Sequence, residues 1–372
     1  MIDKIVAPDR RKWRLKKLKR KKTTKKKIAF TFLILASVSL LVFVMEKPAD
    51  FEPDRAFYFW ENNRASLTPY ESKTLKNLNI KKLYVKFFEV EKNEIRGIIP
   101  AAKSELKIND SHFKDLSIVP TVYIRNNVFK KTSKEELKTL AKNLYSLIKK
   151  RFTENFSPLQ SSFLEIQIDC DWTESTKENY FLFLQYLNKE TPQIISATLR
   201  LYAYKFPNKM GVLPVDRAML MCYNLLSPKD AGNRNSILDL VELQKYIIGA
   251  KKYPLPLDAA IPIYSSVHLY QNDKFKAMLN DEDAKFKQKI KPIKGLWFSM
   301  KQDTVINGIY IRKGDRIKYE INTSKKINKA IDIIKSNVIF DRTTTIAIYH
   351  LQEVELKQYR YEELSSFYTH FY

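Results

Sequence analysis

Polar side chains occupy every second position of Glu165-Ile-Gln-Ile-Asp-Cys-Asp-Trp172. In an extended strand, successive side chains point to opposite faces. Glu165, Gln167, Asp169 and Asp171 therefore share one face, and Ile166, Ile168, Cys170 and Trp172 share the other. A strand with three carboxylates on one face is costly to bury unless donors meet them. Lys86, Arg125 and Arg200 stand in strand-like segments, in phases that bring them to the same side. Two arrangements satisfy this: a neutralised salt-bridge network, or a polar site whose carboxylates do chemistry. Asp258, in the Pro-Leu-Pro-Leu-Asp run, is a further candidate carboxylate, whereas Asp216-Arg217 reads as a local ion pair.

Other chemistries lack their residues. His112, His268, His350 and His370 show no paired ligand spacing, so no metal is expected. Seven glycines form neither a Gly-x-Gly-x-x-Gly turn nor a phosphate loop, and no Gly-x-Ser-x-Gly elbow occurs. No cofactor is implied. Cys170 and Cys222 are expected as buried free thiols, although an exported location would permit a bridge if the fold brought them together.

The elements that must position these groups repeat one unit: an apolar strand, a polar turn and an amphipathic helix. Strands are expected at Ala56–Trp60, Lys82–Glu89, Ile118–Arg125, Leu164–Trp172, Ile195–Tyr202, Ala218–Tyr223, Leu257–Ile263 and Thr344–His350. Helix starts are marked by Thr68-Pro69 with Glu71, Ser133 with Glu136, Ser175 with Glu178, and Ser236 with Asp239. Gly249 stands where a left-handed cap would close a helix over 236–248. Eight strands alternating with helices over about 300 residues is the pattern of an α/β fold of the (β/α)8 TIM-barrel type; a doubly wound sheet is the alternative. About 80 residues separate the seventh and eighth strands, too many for one crossover. They hold short strands around Asn307-Gly308 and Lys313-Gly314, read as an inserted small β subdomain, followed by a helix at 325–337. In a barrel the face toward the helices must be apolar, so the polar face of 165–171 points into the lumen. Asp169 and Asp171 then lie at the C-terminal end of their strand, where barrel enzymes carry catalytic groups, and Glu165 lies deeper.

Charge is distributed unevenly. The chain has 372 residues and a net charge of +25, of which residues 1–27 carry +12 through 14 Lys or Arg and two Asp. Ile28–Met45 follows without a charged residue. As a helix it spans roughly 27 Å, enough to cross a hydrocarbon core. It is read as one N-terminal transmembrane helix and signal-anchor, in contact with the lipid bilayer; a cleaved secretory signal fits less well, because the basic region is long and no small-x-small site follows cleanly. The flanking Lys/Arg excess places the N-terminus in the cytoplasm and the remainder in the periplasm or outside the cell. The division expected is a basic segment 1–27, the membrane helix 28–45, a linker 46–54, the barrel 55–350 with an insertion at about 268–324, and a tail 351–372. The basic segment then serves topology, and a nucleic-acid partner is not expected.

Ile-Gln-Ile-Asp-Cys-Asp-Trp, followed two strands later by Met-Leu-Met-Cys-Tyr-Asn, resembles family 18 glycoside hydrolases, the chitinase-like barrels. Their fourth strand carries Asp-x-x-Asp-x-Asp-x-Glu and their sixth Met-x-Tyr-Asp. Asp169 matches the last Asp of the first motif, and Asp171 stands where the acid Glu would be. Gln167 and Leu164 replace the other two acids. Met221, Tyr223 and Asn224 align with the second motif. The whole string over about 55–350 is similar to a family of barrel proteins of bacterial cell envelopes with no established activity. Together with the N-terminal signal-anchor, the resemblance implies a membrane-anchored, exported barrel acting on or binding a cell-envelope or extracellular polysaccharide. Asp171 would be the acid, raised by burial beside Asp169, and Tyr223 would hydrogen-bond a sugar substituent. Trp60, Tyr58 and Trp172 would stack on sugar rings, and Arg125, Arg200, Asn224 and Asp258 would complete the binding set. The alternative is an inactive barrel that binds glycan or scaffolds an envelope assembly; no partner protein is implied.

Overall fold

The computed structural model describes residues 52–229, 232–279, 286–306 and 308–372. The basic segment and the expected membrane helix lie outside these residues. Among the described residues no helix is long and apolar enough to cross a membrane.

Eight parallel strands follow one another around a closed barrel: β1 (Asp54–Phe59), β2 (Lys82–Asn93), β3 (Ser117–Ile124), β4 (Glu165–Asp169), β5 (Ile194–Arg200), β6 (Arg217–Met221), β7 (Leu257–Pro262) and β8 (Thr345–Tyr349). Closure is made by β1, which pairs with β8 on one side and β2 on the other. All eight coincide with strands expected from the sequence, although their ends shift by up to four residues.

Period-two alternation sorts the side chains. Ile166, Ile168 and Cys170 leave the barrel outward and pack with Tyr180, Phe183, Leu184 and Leu187 of the surrounding helices. Tyr58, Tyr84, Met219 and Tyr223 point inward beside Ala56, Ala260 and Ala347. The alanines leave the volume that the rings take: Tyr58 stacks on Tyr84 with centroids 4.9 Å apart and planes 24° apart. The N-terminal end of the lumen is closed by ion pairs. Arg217 donates to both carboxylate oxygens of Asp258 at 2.7 and 2.6 Å, and Lys82 lies 3.7 Å from Glu165.

Helix α1 (Pro69–Asn77) and α2 (Lys134–Phe156) begin with the expected reciprocal caps, Thr68 with Glu71 and Ser133 with Glu136. Two other expected starts move. For α3 (Lys177–Glu190) the cap is Thr176 instead of Ser175, and its hydroxyl accepts from the Thr173 N–H and donates to Asn126, so no side-chain cap bond forms. For α4 (Leu240–Ile247) the cap is Asp239, which accepts from the Glu242 N–H, because the Ser236 hydroxyl is committed to Glu320. Gly249, at φ +69°, takes the left-handed position after this helix.

The chain between β7 and β8 forms a five-stranded antiparallel sheet, ordered 274–279, 266–271, 316–320, 297–300, 290–294, and then helix α5 (Ser324–Asn337). Val267, Leu269, Met300, Ile317 and Tyr319 give it a core of its own. On its polar side Glu320 accepts from the Ser236 N–H and hydroxyl at 2.9 and 2.6 Å, which ties the sheet to the chain following β6.

Candidate functional site

A cavity of about 210 Å³ opens at the C-terminal mouth of the barrel. Seven of the ten residues selected from the sequence line it: Tyr58, Trp60, Asp169, Asp171, Arg200, Tyr223 and Asn224. Strand ends account for the convergence. Asp169 closes β4, Arg200 closes β5, and Tyr223 and Asn224 lie two and three residues past the end of β6.

Asp169 is buried and accepts from the Thr198 hydroxyl at 2.7 Å. Burial pushes its carboxyl up to about 6; the hydrogen bond from Thr198 opposes this, the charge of Asp171 adds to it, and Arg200 and Lys86 oppose it. Asp171 is different. Its side chain is 47 % exposed and pairs with the Arg200 guanidinium, itself 40 % exposed. The burial expected of Asp171 is thus found at Asp169, one pleat deeper. Gln167, on the same face, receives the Tyr58 hydroxyl at 2.6 Å on its carbonyl oxygen and points its amide at Ser196 at 3.4 Å.

Rings form one wall. Tyr223 stacks on Tyr349 at 4.8 Å, and Tyr58 and Trp60 flank Tyr349 at 5.7 and 6.0 Å. Burial raises the phenols of Tyr58, Tyr223 and Tyr349 well above their ordinary range, so they stay protonated hydrogen-bond donors. Asn224, at φ +54°, accepts from the Tyr264 hydroxyl, and its carbonyl lies 3.5 Å from Arg200.

Three selected residues stand elsewhere. Trp172 keeps the outward phase of β4: it is buried 5.4 Å from Tyr180, with its indole N–H 3.5 Å from the Met210 carbonyl, so it offers no face to the lumen. Asp258 does point inward, but from the N-terminal end of β7. There it is fully buried and neutralised by Arg217, and it accepts from the Thr345 N–H at 2.6 Å. Arg125 sits on the rim, half exposed, 3.3 Å from Glu89 and 3.5 Å from Glu91.

Glu89, Tyr123, Thr198, Met221 and Tyr349 complete the lining. The inward phase of Tyr349 and Thr198 is readable from alternation in their strands. Glu89 is not, because the pairing of β2 with β3 shifts register between Lys86 and Phe88. Phe87 and Phe88 both face the helices, and Glu89 turns inward to pair with Lys86 at 2.9 Å. Among the described residues no group of three His, Cys, Asp or Glu is placed to hold a metal ion. Cys170 and Cys222 are free and buried.

No protein-family model and no curated protein matches the sequence. Solved structures with a similar course of chain include the spore cortex-lytic enzyme SleL of Bacillus cereus, at 12% identity, 86% of this chain, 74% of that one and a TM-score of 0.48. The family 18 chitinase ChiB of Flavobacterium johnsoniae follows at 12% identity, 86% and 95% coverage and a TM-score of 0.45. The tamarind chitinase-like lectin stands at 10% identity, 86% and 98% coverage and 0.41. Structural neighbours of this chain are thus chitinase-like barrels at low identity. At these values they carry no information on activity.

Proposed function

We propose that the protein is a membrane-anchored barrel, held by residues 28–45 with its C-terminal part outside the cytoplasm, that binds a cell-envelope or extracellular polysaccharide at the C-terminal mouth. One observation carries this reading. A single cavity joins a wall of Tyr and Trp rings to the Asp171–Arg200 pair and the buried Asp169. Rings stack on the apolar faces of sugars while their hydroxyls bond to the charged groups. An exposed ion pair contributes only about 0–1 kcal/mol to folding, so Asp171 and Arg200 can exchange one another for sugar hydroxyls at little cost. The N-terminal sequence supports the placement, since the +12 segment before an uncharged 18-residue run has the form of an N-in signal-anchor.

The test uses the full chain in micelles of a detergent without a sugar headgroup, on an array of bacterial and extracellular glycans. Retention of glycan that Trp60→Ala and Tyr349→Ala each weaken at least tenfold is the expected result. Retention unaffected by either substitution overturns the reading.

Hydrolysis is a second reading, favoured by the Asp169 carboxyl. Held near 6, it is protonated at mildly acid pH, as a general acid must be. Asp171 would be the carboxylate beside it. Reducing-end release that falls above about pH 6 and disappears in Asp169→Asn supports hydrolysis; bound glycan recovered intact after long incubation rejects it.

A further inference from the structure

The turns that lead into the barrel strands form the N-terminal face, opposite the mouth, and exposed apolar side chains stand on it in two sectors. Leu164, 72% exposed, immediately precedes β4, and Ile194, also exposed, begins β5. The Ile194 N–H donates to the Leu164 carbonyl at 3.0 Å, so the two are neighbours. Across the barrel, where β8 meets β1, stand Ile339, 60% exposed, and Tyr372, also exposed. Next to them Phe340 packs on Phe371 with centroids 6.1 Å apart, and the Tyr372 hydroxyl accepts from Arg55 of β1 at 3.3 Å. In the sectors between, the turns carry exposed lysines: Lys81 before β2 and Lys114 before β3 on one side, Lys251 and Lys252 before β7 on the other. Several acids on this face are engaged within the fold. Glu52 lies 3.6 Å from Arg55, Asp216 accepts from the Ile195 N–H at 2.8 Å, and Asp341 accepts from the Thr343 N–H at 2.8 Å.

One exposed leucine on a surface needs no explanation. Apolar side chains in two opposed sectors, with lysines in the sectors between, describe a plane across one end of the barrel. That mixture suits a membrane–water interface, where apolar and tyrosine side chains enter the headgroup layer and lysine stems snorkel beside them. The chain's own connection selects this end. From Met45, where the uncharged run stops, to Asp54, where β1 starts, there are nine residues, at most about 32 Å of extended chain. They join the barrel at its N-terminal face. Turning the mouth to the bilayer would take the connection across a helix layer of about 10 Å and up the roughly 20 Å rise of β1, which leaves it no slack. We infer that the N-terminal face rests on the phospholipid surface, with Leu164, Ile194, Ile339 and Tyr372 entering the headgroup layer. The mouth is thereby directed away from the bilayer, toward envelope polymer. This rests on the membrane-anchored reading above and adds to it the face and the residues that meet lipid.

The experiment reconstitutes the full chain in liposomes of phosphatidylethanolamine and phosphatidylglycerol and reads the depth of a fluorophore on one added cysteine. Ile194→Cys reports the N-terminal face, and Ile95→Cys, at the exposed tip of the β2 hairpin beyond the mouth, reports the opposite end. Cys170 and Cys222 are buried, and the chain without an added cysteine supplies the blank. Nitroxide carried on the lipid headgroup is expected to quench the label at 194 at least threefold more strongly than the label at 95. Leu164→Glu/Ile339→Glu should bring the quenching at 194 down to the level at 95, with melting temperature and liposome flotation unchanged. Equal quenching at the two positions, or stronger quenching at 95, overturns the inference and leaves membrane anchoring in place if the protein still floats with the liposomes. Quenching at 194 that the two glutamates do not reduce also overturns it, since a short tether alone then accounts for the proximity. A chain that does not float with liposomes removes both readings.

Discussion

Replacing Asp169 by Asn is expected to make the protein more stable at neutral pH and less stable in acid. In the folded chain the carboxyl is held at about 6, against 3.8 for an unburied aspartate. The folded state therefore binds the proton more tightly than the unfolded state. Between about pH 4 and 6 the unfolded chain has released this proton and the folded chain has not, so stability falls as pH rises through that window and stays low above it. The difference between 6 and 3.8 corresponds to about 3 kcal/mol. Asn keeps the acceptor for the Thr198 hydroxyl but brings an amide N–H that needs a partner, at about 1 kcal/mol. The net expectation is a gain of about 2 kcal/mol at pH 7 to 8 and a loss of about 1 kcal/mol at pH 4 or below. At about 2 °C per kcal/mol for a domain of this size, the melting temperature rises by ~4 °C at pH 8. The assay is thermal unfolding of both proteins in half-unit steps from pH 4 to 8. A difference that stays constant across the range refutes the assignment of a buried, proton-holding Asp169. So does a variant that is less stable at pH 8.

Arg217→Met leaves Asp258 buried without its guanidinium, and urea unfolding at pH 7 should show a loss of about 3–5 kcal/mol. Burial raises the Asp258 carboxyl, so part of the loss should return at pH 4 as that group protonates. An equal loss at both pH values contradicts this. Tyr58→Phe removes the donor to Gln167 at 2.6 Å and strands a buried carbonyl oxygen. The cost expected in chemical denaturation is about 1–2 kcal/mol, and a stabilised variant refutes the pairing. Burial raises both Cys170 and Cys222 thiols. Ellman's reagent should therefore find no reactive thiol in the native protein and two in denaturant, and prompt native labelling tells against the burial.

Much of the fold is legible because the barrel repeats a local rule. Strands alternate with capped helices, and each strand signal stands by itself. Caps fail where a distant group claims the capping hydroxyl, as Glu320 claims Ser236 from 84 residues away. No spacing rule sees that partner.

The site divides along the same line. A side chain in a barrel has two coordinates, the face of the sheet and the height along the axis, and alternation supplies only the first. It places Asp169, Arg200 and Tyr223 in the lumen, and it keeps Trp172 out. It also places Asp258 in the lumen, but its height is set by where β7 begins relative to its neighbours, and that height buries it against Arg217. Glu89 escapes because one extra residue in β2 reverses the face. Asp171 follows the end of β4, where neighbouring strands no longer cover it, and solvent reaches half of its side chain. The polar stripe Glu165, Gln167, Asp169, Asp171 is thus neither a filled network nor an open site along its whole length. It begins beside Lys82 near the N-terminal end, passes through neutral amide and hydroxyl groups at Gln167, and reaches solvent only at Asp171. Chemistry needing a carboxyl that is protonated at mildly acid pH and within reach of a ligand has one place on that gradient, the step where the side chain is still buried but lines the mouth cavity, and Asp169 occupies it.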